Sequence, residues 1–392
     1  MRSVRSVCAV AALCISVFAL EVVSDSSDFD QFVSEILSFI NGTTTYVKPT
    51  NNNAFFGNGS DSDEPLDYGT YDFIIVGSGS AGGVLVNRLS EVENFTVLLV
   101  EAGSEDPVAS KILGLYTYMT KSSCDWGYYT TPQAASFLGI CNRTKYTFYN
   151  NTFLENLEHW YHNERPLTDT YTSQLVTFYN VAGNSSDASD MEILIPGPPN
   201  LGPSYGEAYT NSTYAQAFKV LNEYSDFALI LYFLRPKSVG KVTLASADPR
   251  DFPLINPNFF SHPDDLETLY KAVEIAKNLE NTTAFQRLGV QPIVLDLPDC
   301  DENYEKLSKD WWICSMKYLT IAGLHPIGTT RMGNDTQNSV VSSKLKVHGI
   351  DKLRVVDAGV IPQQISGHIS TPIMMIGEKA ADFIKNEYSC TS

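Results

Sequence analysis

The strongest constraint on the fold is the hexapeptide Gly77–Gly82 (GSGSAG), which follows the short apolar run YDFIIV. That run is typical of a buried parallel strand, and Ala81–Ser90 carries apolar side chains at helical spacing. A second apolar run, Thr96–Val100, follows and leads directly into Glu101. This order predicts a strand, a turn, a helix and a parallel strand, which together open a Rossmann-like half-domain.

Each residue of this glycine fingerprint (Gly77–Gly82) has an expected role in binding a dinucleotide. Gly77 allows the tight turn after the strand, Gly79 lets a pyrophosphate approach the backbone, and Gly82 allows the helix to pack closely on the strand. The helix that begins near Ser80 offers backbone N–H donors to phosphate. Glu101 is placed to accept hydrogen bonds from an adenosine ribose. A purely structural glycine-rich turn is the alternative interpretation.

The first 20 residues have the pattern of a secretory signal peptide. Arg2 and Arg5 precede the apolar run Val7–Leu20, which is too short to span a membrane comfortably. A signal anchor is the alternative. We therefore predict a secreted protein with no membrane span after cleavage. Asn-x-Ser/Thr triplets predict a glycoprotein, and they begin at Asn41, Asn58, Asn94, Asn142, Asn150, Asn184, Asn211, Asn281 and Asn334.

The composition is that of a globular protein, with 43% hydrophobic and 18% charged residues. The net charge of −18 argues against nucleic acid or an anionic membrane as a partner, because phosphate binding needs clustered Lys and Arg. No CxxC motif occurs and no histidine lies at ligand spacing, so we predict no metal site.

Cysteines beyond the predicted signal peptide suggest a disulfide framework. The two short spacings predict the pairs Cys124–Cys141 and Cys300–Cys314, which leaves Cys390 unpaired.

The rest of the chain gives coarser signals. Residues 21–70, rich in Ser, Asn and Asp, are predicted to be a flexible lead-in with one short helix, Phe32–Ile40. Alternation between Asp226 and Ala245 predicts antiparallel strands that turn at Gly240, the first of them the buried strand Phe227–Leu234. Further predicted elements are an amphipathic helix at Asp264–Lys277, a short strand at Leu353–Val356 and a helix at Pro372–Asn386 that has proline in its first turn.

Three segments near the C-terminus contain candidate catalytic groups: HPIGTTRMG, which begins at His325, VVDAG, which contains Asp357, and SGHISTP, which contains His368. By residue chemistry alone, each histidine is more often structural than catalytic. A Ser-His-Asp hydrolase is not indicated, because the chain has no GxSxG motif.

Taken together, these segments and the glycine fingerprint resemble the two ends of the glucose–methanol–choline (GMC) oxidoreductase family, with the secreted insect branch the most similar. DWGYYTTPQ (Asp125–Gln133) and the run Arg235–Phe260 also resemble that branch. The resemblance covers most of residues 71–135 and 226–388. It implies an α/β fold, with a Rossmann-like FAD-binding domain and a substrate domain built on an antiparallel sheet.

The cofactor that this resemblance implies is FAD, held by the glycine fingerprint and Glu101. Asp357 and Ala358 would lie at the pyrophosphate–ribityl side of the flavin, and Ser370 belongs to the same predicted set of cofactor-binding residues. The C-terminal helix would direct its positive end toward the flavin ring, which favours the reduced anionic form.

The implied reaction is oxidation of a small-molecule alcohol, by hydride transfer to the flavin. His325 matches the family's active-site histidine, which would take the hydroxyl proton, and His368 matches the second His/Asn position. Insect members act on sugars, aromatic alcohols and ecdysteroids, and nothing in this sequence selects among these substrates.

Two family segments are absent from the chain: a PRGKxLGGSS-type segment and a TPxLLxxSGIG-type strand and turn. We therefore expect that a large internal block is deleted, which leaves the FAD domain incomplete, with strand edges unpaired. We predict an FAD domain formed by residues 71–136 and 316–388, with a reduced substrate domain at 137–315. Two alternatives remain: a catalytically impaired or inactive secreted glycoprotein derived from the family, and an NAD-dependent dehydrogenase, which fits the C-terminal segments poorly.

Overall fold

The structure is a computed structural model of the chain. It describes residues 26–53, 67–120, 122–130, 139–144, 152–164, 175–181, 188–195, 217, 220, 221, 225–320 and 322–388. The predicted signal peptide lies outside these residues.

The described residues form a mixed fold of helices and sheets, which confirms the predicted class. The helices are α1 (Ser26–Thr45), α2 (Ser80–Ser90), α3 (Tyr116–Met119), α4 (Phe153–Tyr161), α5 (Pro263–Leu279), α6 (Thr283–Leu288), α7 (Pro298–Asp301), α8 (Lys309–Leu319) and α9 (Ser370–Tyr388). The strands are β1 (Phe73–Val76), β2 (Val97–Val100), β3 (Gly139–Arg143), β4 (Leu175–Tyr179), β5 (Met191–Ile195), β6 (Asp226–Phe233), β7 (Lys241–Thr243), β8 (Leu254–Asn256) and β9 (Gln291–Ile293).

The chain divides into two compact units, with the boundaries after Gly103 and before Leu324. The outer unit contains residues 53–103 and 324–392, and the central unit contains residues 22–52 and 104–323. These boundaries differ from the predicted ones, because residues 104–136 belong to the central unit and residues 316–323 do not belong to the outer unit.

In the outer unit, β1 and β2 form a parallel two-stranded sheet joined through α2. This arrangement is the predicted β–α–β unit, since the helix and both strands lie within one or two residues of the expected positions. Helix α9 packs against α2, and its buried residues join Ile75, Leu85 and Leu89 in one apolar core. The predicted C-terminal helix is also confirmed, with Pro372 in its first turn.

Two expectations for the outer unit are wrong. The run YDFIIV was expected to be buried on both faces, but Ile74 is 63% and Val76 81% exposed. Only one face of this sheet is covered by the core, on the side of Ile75. The predicted strand Leu353–Val356 forms a single bridge, between Arg354 and Lys346, rather than a strand, and no third strand of the parallel sheet is present in the described residues.

The central unit contains a five-stranded antiparallel sheet with the strand order β4-β5-β6-β3-β9. Strand β6 is buried along most of its length, as predicted, because helix α5 packs against the sheet and α8 packs against α5, and both helices contribute to the apolar core over it. The predicted amphipathic helix is α5, whose N1 residue is Pro263.

The expected hairpin around Gly240 is not formed. Strand β6 pairs with β3 and β5, whereas β7 pairs with β8 in a separate two-stranded sheet. Gly240 lies against the Asn256 carbonyl, where any β-carbon would collide. Glycine is therefore needed at this position because two backbone segments approach closely, and not because β6 and β7 are joined by a turn.

The predicted lead-in of residues 21–70 is not flexible throughout, because α1 has 20 residues rather than the nine expected. Ile36 of α1 is fully buried against Leu157 of α4, and the rings of Phe32 and Trp160 stack with their centroids 5.4 Å apart. Polar residues such as Ser34 and Asn41 masked this helix in the sequence, since its stability comes from one packed apolar face.

The disulfide Cys300–Cys314 is present, as predicted. The pair Cys124–Cys141 is wrong: both residues are free thiols. Cys141 lies in β3 with its side chain in the core of the sheet, and burial raises the pKa of this thiol to about 12. Cys124 is exposed in a turn after α3.

No helix among the described residues is long and apolar enough to cross a membrane. No group of His, Cys, Asp or Glu side chains in this part of the chain could hold a metal ion.

Candidate functional site

The glycine fingerprint forms the turn between β1 and α2. Gly77 has φ +92°, a conformation that side chains disfavour, and its N–H donates to the Val100 carbonyl of β2. Gly79 is the N-cap of α2, in extended conformation and without a side-chain cap. Apart from the adjoining residues, no atom in the described part of the chain lies within 4 Å of the position that a β-carbon would take at Gly77 or at Gly79. The turn therefore presents bare backbone, and the first N–H groups of α2 have no side chain capping them.

Gly82 has a different role, because a β-carbon here would collide with the Gly77 carbonyl oxygen. Helix α2 can pack this closely against the turn only because residue 82 has no side chain. The structure thus gives the three glycines the separate local properties that the sequence predicts.

Glu101 follows β2 directly and turns back to the fingerprint. Its Oε2 accepts hydrogen bonds from the Ser78 backbone N–H at 2.6 Å and from the Ser78 hydroxyl at 2.7 Å. Its Oε1 accepts from the Gly103 N–H at 2.7 Å. These hydrogen bonds lower the pKa of Glu101 from 4.5 to about 2, and the bond from the Ser78 hydroxyl has the largest effect. Ser78 as the partner of Glu101 was missed from the sequence, although a hydroxyl inside the fingerprint was the available signal.

These features fit a dinucleotide such as FAD. The uncapped N-terminus of α2 and the bare backbone at Gly77 and Gly79 suit a pyrophosphate, which needs N–H donors and close approach. Glu101 is ionised near neutral pH and is exposed, so its carboxylate can accept a further hydrogen bond from a ribose hydroxyl.

The two predicted catalytic histidines, 43 residues apart in sequence, lie in contact. Nε2 of His325 is 3.4 Å from Nδ1 of His368, and the rings meet edge to face with their centroids 4.9 Å apart. His325 is half-buried and His368 is exposed. A hydrogen bond between two ring nitrogens requires one of them to donate and the other to accept, so the contact depends on the tautomer of each ring.

Backbone hydrogen bonds join two of the C-terminal segments. The Thr330 N–H donates to the Gly359 carbonyl at 3.0 Å, and the Met332 N–H donates to the Val360 carbonyl at 2.9 Å. Asp357 accepts from the Gly359 N–H at 2.7 Å and so caps the short 3₁₀ helix Ala358–Val360. Asp357 is thus a local cap, in addition to any role in binding a cofactor.

Helix α9 begins at Ser370, two residues after His368, and connects this region to the fingerprint helix. A β-carbon at Gly377 would lie 3.0 Å from the Ala81 carbonyl, so the two helices cross closely at the start of α2. At the other end of the crossing, Nζ of Lys385 is 2.8 Å from Oε2 of Glu91. The predicted residues therefore form two groups, one around Ser78 and Glu101 and one around the histidines, which α9 links.

An open cleft of about 580 Å³ lies elsewhere, between α1 and the turn at Ser122 and Ser123. None of the predicted site residues lines it.

Comparison with known proteins identifies the C-terminal segments. Residues 236–377 match the family model of the GMC oxidoreductases. The chain carries a GMC oxidoreductase C-terminal domain. This domain includes His325, His368, Asp357 and Ser370, and the predicted family is confirmed.

The relatives of this chain include insect enzymes. The chain is 40% identical over 155 residues to the ecdysone oxidase of Spodoptera littoralis, a match that covers 40% of this chain and 24% of that protein. It is 33% identical over 156 residues to the glucose dehydrogenase [FAD, quinone] of Drosophila melanogaster, covering 40% of this chain and 25% of that one. The chain thus matches about a quarter of the length of these curated relatives.

Among solved structures, the formate oxidase of Aspergillus oryzae aligns with a TM-score of 0.52 at 23% identity, covering 66% of this chain and 47% of that one. This likeness supports the GMC fold. FAD is the cofactor named for the glucose dehydrogenase and for the formate oxidase structure, and the GMC match of residues 236–377 supports the same cofactor for this chain.

Proposed function

We propose that this protein is an FAD-dependent oxidoreductase that acts on the CH–OH group of a small-molecule alcohol. The observation that carries the proposal is the contact between His325 and His368 in the same unit as the glycine fingerprint. A paired imidazole is suited to accept a hydroxyl proton near neutral pH, and the fingerprint is suited to hold a dinucleotide.

The residues proposed to hold FAD come from both ends of the chain. Gly77, Gly79 and the α2 N-terminus at Ser80 would receive the pyrophosphate, next to Gly82, and Glu101 would receive the adenosine ribose. The flavin side would be held by three residues of the C-terminal domain: Asp357, Ala358 and Ser370.

When bound, FAD supplies the hydride acceptor for the substrate carbon. His325 would take the hydroxyl proton at its ring nitrogen, because imidazole is the side chain whose pKa best matches that task. His368 would donate a hydrogen bond to the substrate oxygen, or hold His325 in the tautomer that can accept. A direct contact between the rings suits either arrangement, since one ring fixes which nitrogen of the other is protonated.

The substrate class follows from the relatives rather than from the site. An ecdysone oxidase and a glucose dehydrogenase are both similar to this chain, so an ecdysteroid or a sugar is the proposed donor, and an aromatic alcohol is the third class that the family resemblance adds. The predicted signal peptide and sequons place the protein outside the cell in this proposal.

Anaerobic reduction by a panel of alcohols tests this function directly. The full chain, produced in a eukaryotic secretory host, is loaded with FAD and mixed with an ecdysteroid, glucose or benzyl alcohol, and the oxidised flavin absorbance is followed. Bleaching by one donor class, lost in His325→Ala but retained in His159→Gln, supports the proposal. Bound flavin that no donor bleaches, and that dithionite does reduce, would refute it.

A second candidate function is a catalytically impaired or inactive secreted glycoprotein that keeps the scaffold. The exposure of Ile74 and Val76 on a sheet that has two strands among the described residues favours it, because an open flavin site would lose the preorganised electrostatics on which the histidine chemistry depends. A protein that folds and is exported yet takes up no FAD would select this candidate.

A further inference from the structure

Five of the Asn-x-Ser/Thr triplets lie in described residues, and their asparagines differ in solvent exposure. Asn41, Asn94, Asn281 and Asn334 are exposed, whereas Asn142 is 0% exposed. We propose that N-linked glycans occupy the four exposed asparagines and that the triplet at Asn142 stays unmodified in the folded protein. This inference is independent of the proposed enzyme activity, but it rests on the proposed secretion of the protein.

The exclusion of Asn142 follows from its place in β3. This strand pairs on one side with β6, where Asn142 faces Phe227, and on the other side with β9, where it faces Pro292. Thr144, the third residue of the triplet, is also buried. A sugar on Asn142 would have to displace a neighbouring strand, so a chain glycosylated there could not form this sheet.

The four exposed asparagines lie at positions where a glycan would not have to displace a neighbouring strand. Asn41 is in the last turn of α1, and Asn94 is in the turn between α2 and β2. Asn281 lies between α5 and α6, and Asn334 lies beside the turn that Asp335 stabilises by accepting from the Gln337 N–H. Each of these triplets ends in threonine. Surface turns and helix ends tolerate large additions, because their side chains take no part in the core.

The modification needs a donor, a lipid-linked oligosaccharide pyrophosphate, which the secretory pathway supplies. A bond forms between Nδ2 of asparagine and the anomeric carbon of the first sugar, and the bond from that carbon to the pyrophosphate oxygen breaks. The lipid pyrophosphate leaves with the electron pair, and the amide gives up one proton. The acceptor amide stays neutral, so four glycans leave the protein's own charge unchanged.

Site mapping tests the proposal. The full chain is secreted from insect cells and treated with peptide-N-glycosidase F in heavy-oxygen water, which converts each glycosylated asparagine into a labelled aspartate. We expect label at Asn41, Asn94, Asn281 and Asn334 and none at Asn142. Label at Asn142 in folded, monomeric protein would overturn the proposal, as would a lack of label at the exposed sites.

Matched variants give a second measurement that does not depend on peptide coverage. Asn281→Gln and Asn334→Gln should each lower the intact mass by one glycan, whereas Asn303→Gln, an exposed asparagine outside any triplet, should not. Thr144→Val removes the buried triplet without changing Asn142 and should leave the number of glycans unchanged. Loss of one glycan in Thr144→Val would contradict the proposal.

Discussion

Nε2 of His325 and Nδ1 of His368 approach to 3.4 Å, with their rings at 88° to each other. Two segments 43 residues apart in sequence thus place two imidazoles in contact in the outer unit. The contact allows one ring to donate a proton and the other to accept it, which is the requirement for relaying or holding a substrate proton.

Replacing His325 by alanine should slow flavin reduction without loss of FAD. Removal of a general base lowers the rate by about 10²–10⁴-fold, while the proposed FAD contacts do not involve this side chain. Stopped-flow reduction gives the rate, and the flavin-to-protein absorbance ratio gives the FAD content. His159→Gln is the control, because His159 is a half-buried histidine of the central unit whose ring contacts Glu164. A His325→Ala rate equal to that of the control would refute the role as base.

The carboxylate of Glu101 should make the outer unit sensitive to acid. Its folded pKa of about 2 lies below the ordinary 4.5, so its contribution to stability is fully present above pH 4.5 and is lost as the pH falls toward 2. The thermal midpoint of the FAD-free protein should therefore fall over this range by less in Glu101→Gln than in the wild type. Parallel pH profiles for the two proteins would show that Ser78 does not hold the ionised carboxylate.

Two glycine variants should separate cofactor binding from folding. Gly79→Ala adds a methyl group in open space at φ −62°, so stability should not change, but the methyl would occupy the approach of the pyrophosphate. We expect FAD affinity to fall at least about tenfold, which corresponds to 1.4 kcal/mol. Gly82→Ala collides with the Gly77 carbonyl and should cost about 1–3 kcal/mol of unfolding free energy. Denaturant titration and FAD titration of both variants measure these effects.

Only one of the predicted disulfides should matter for stability. Cys300 and Cys314 are 14 residues apart, and a loop of this size predicts a loss of about 3 kcal/mol when both are replaced by serine. Cys124→Ser should change the free energy of unfolding by less than about 0.5 kcal/mol, because this thiol is exposed and unpaired. A similar loss in Cys124→Ser would indicate that Cys124 is bonded after all.

The elements that were predicted correctly from the sequence are those that a local pattern of residues marks. The β–α–β unit, α5 and α9 were all expected within a few residues, since apolar spacing, glycine and proline mark them directly. The family resemblance selected His325 and His368 as candidate catalytic residues, but their contact was not predicted, because spacing alone does not bring two distant histidines together. The length of helix α1 was underestimated, because its many polar residues obscure the apolar pattern of the face that packs against α4.

Pairing between distant segments was harder to predict. The expected hairpin at Gly240 failed because β6 pairs with β3 and β5, which the alternation of β6 cannot specify. The pair Cys124–Cys141 failed because proximity in sequence does not determine where a side chain points, and Cys141 points into the sheet core. The exposure of Val76 follows from the face of the β1–β2 sheet that lies opposite the core around Ile75, which a local apolar run does not reveal.

Flavin content is the measurement that most directly tests whether this chain binds FAD. The full chain is purified from a secretory host, incubated with FAD, passed through a desalting column and examined by absorbance and by flavin fluorescence. We expect the wild type to be a yellow protein with about one FAD per chain. The Gly79→Ala variant should lose that flavin although its thermal midpoint is unchanged. A folded, colourless wild-type protein that FAD neither binds nor stabilises would contradict this expectation.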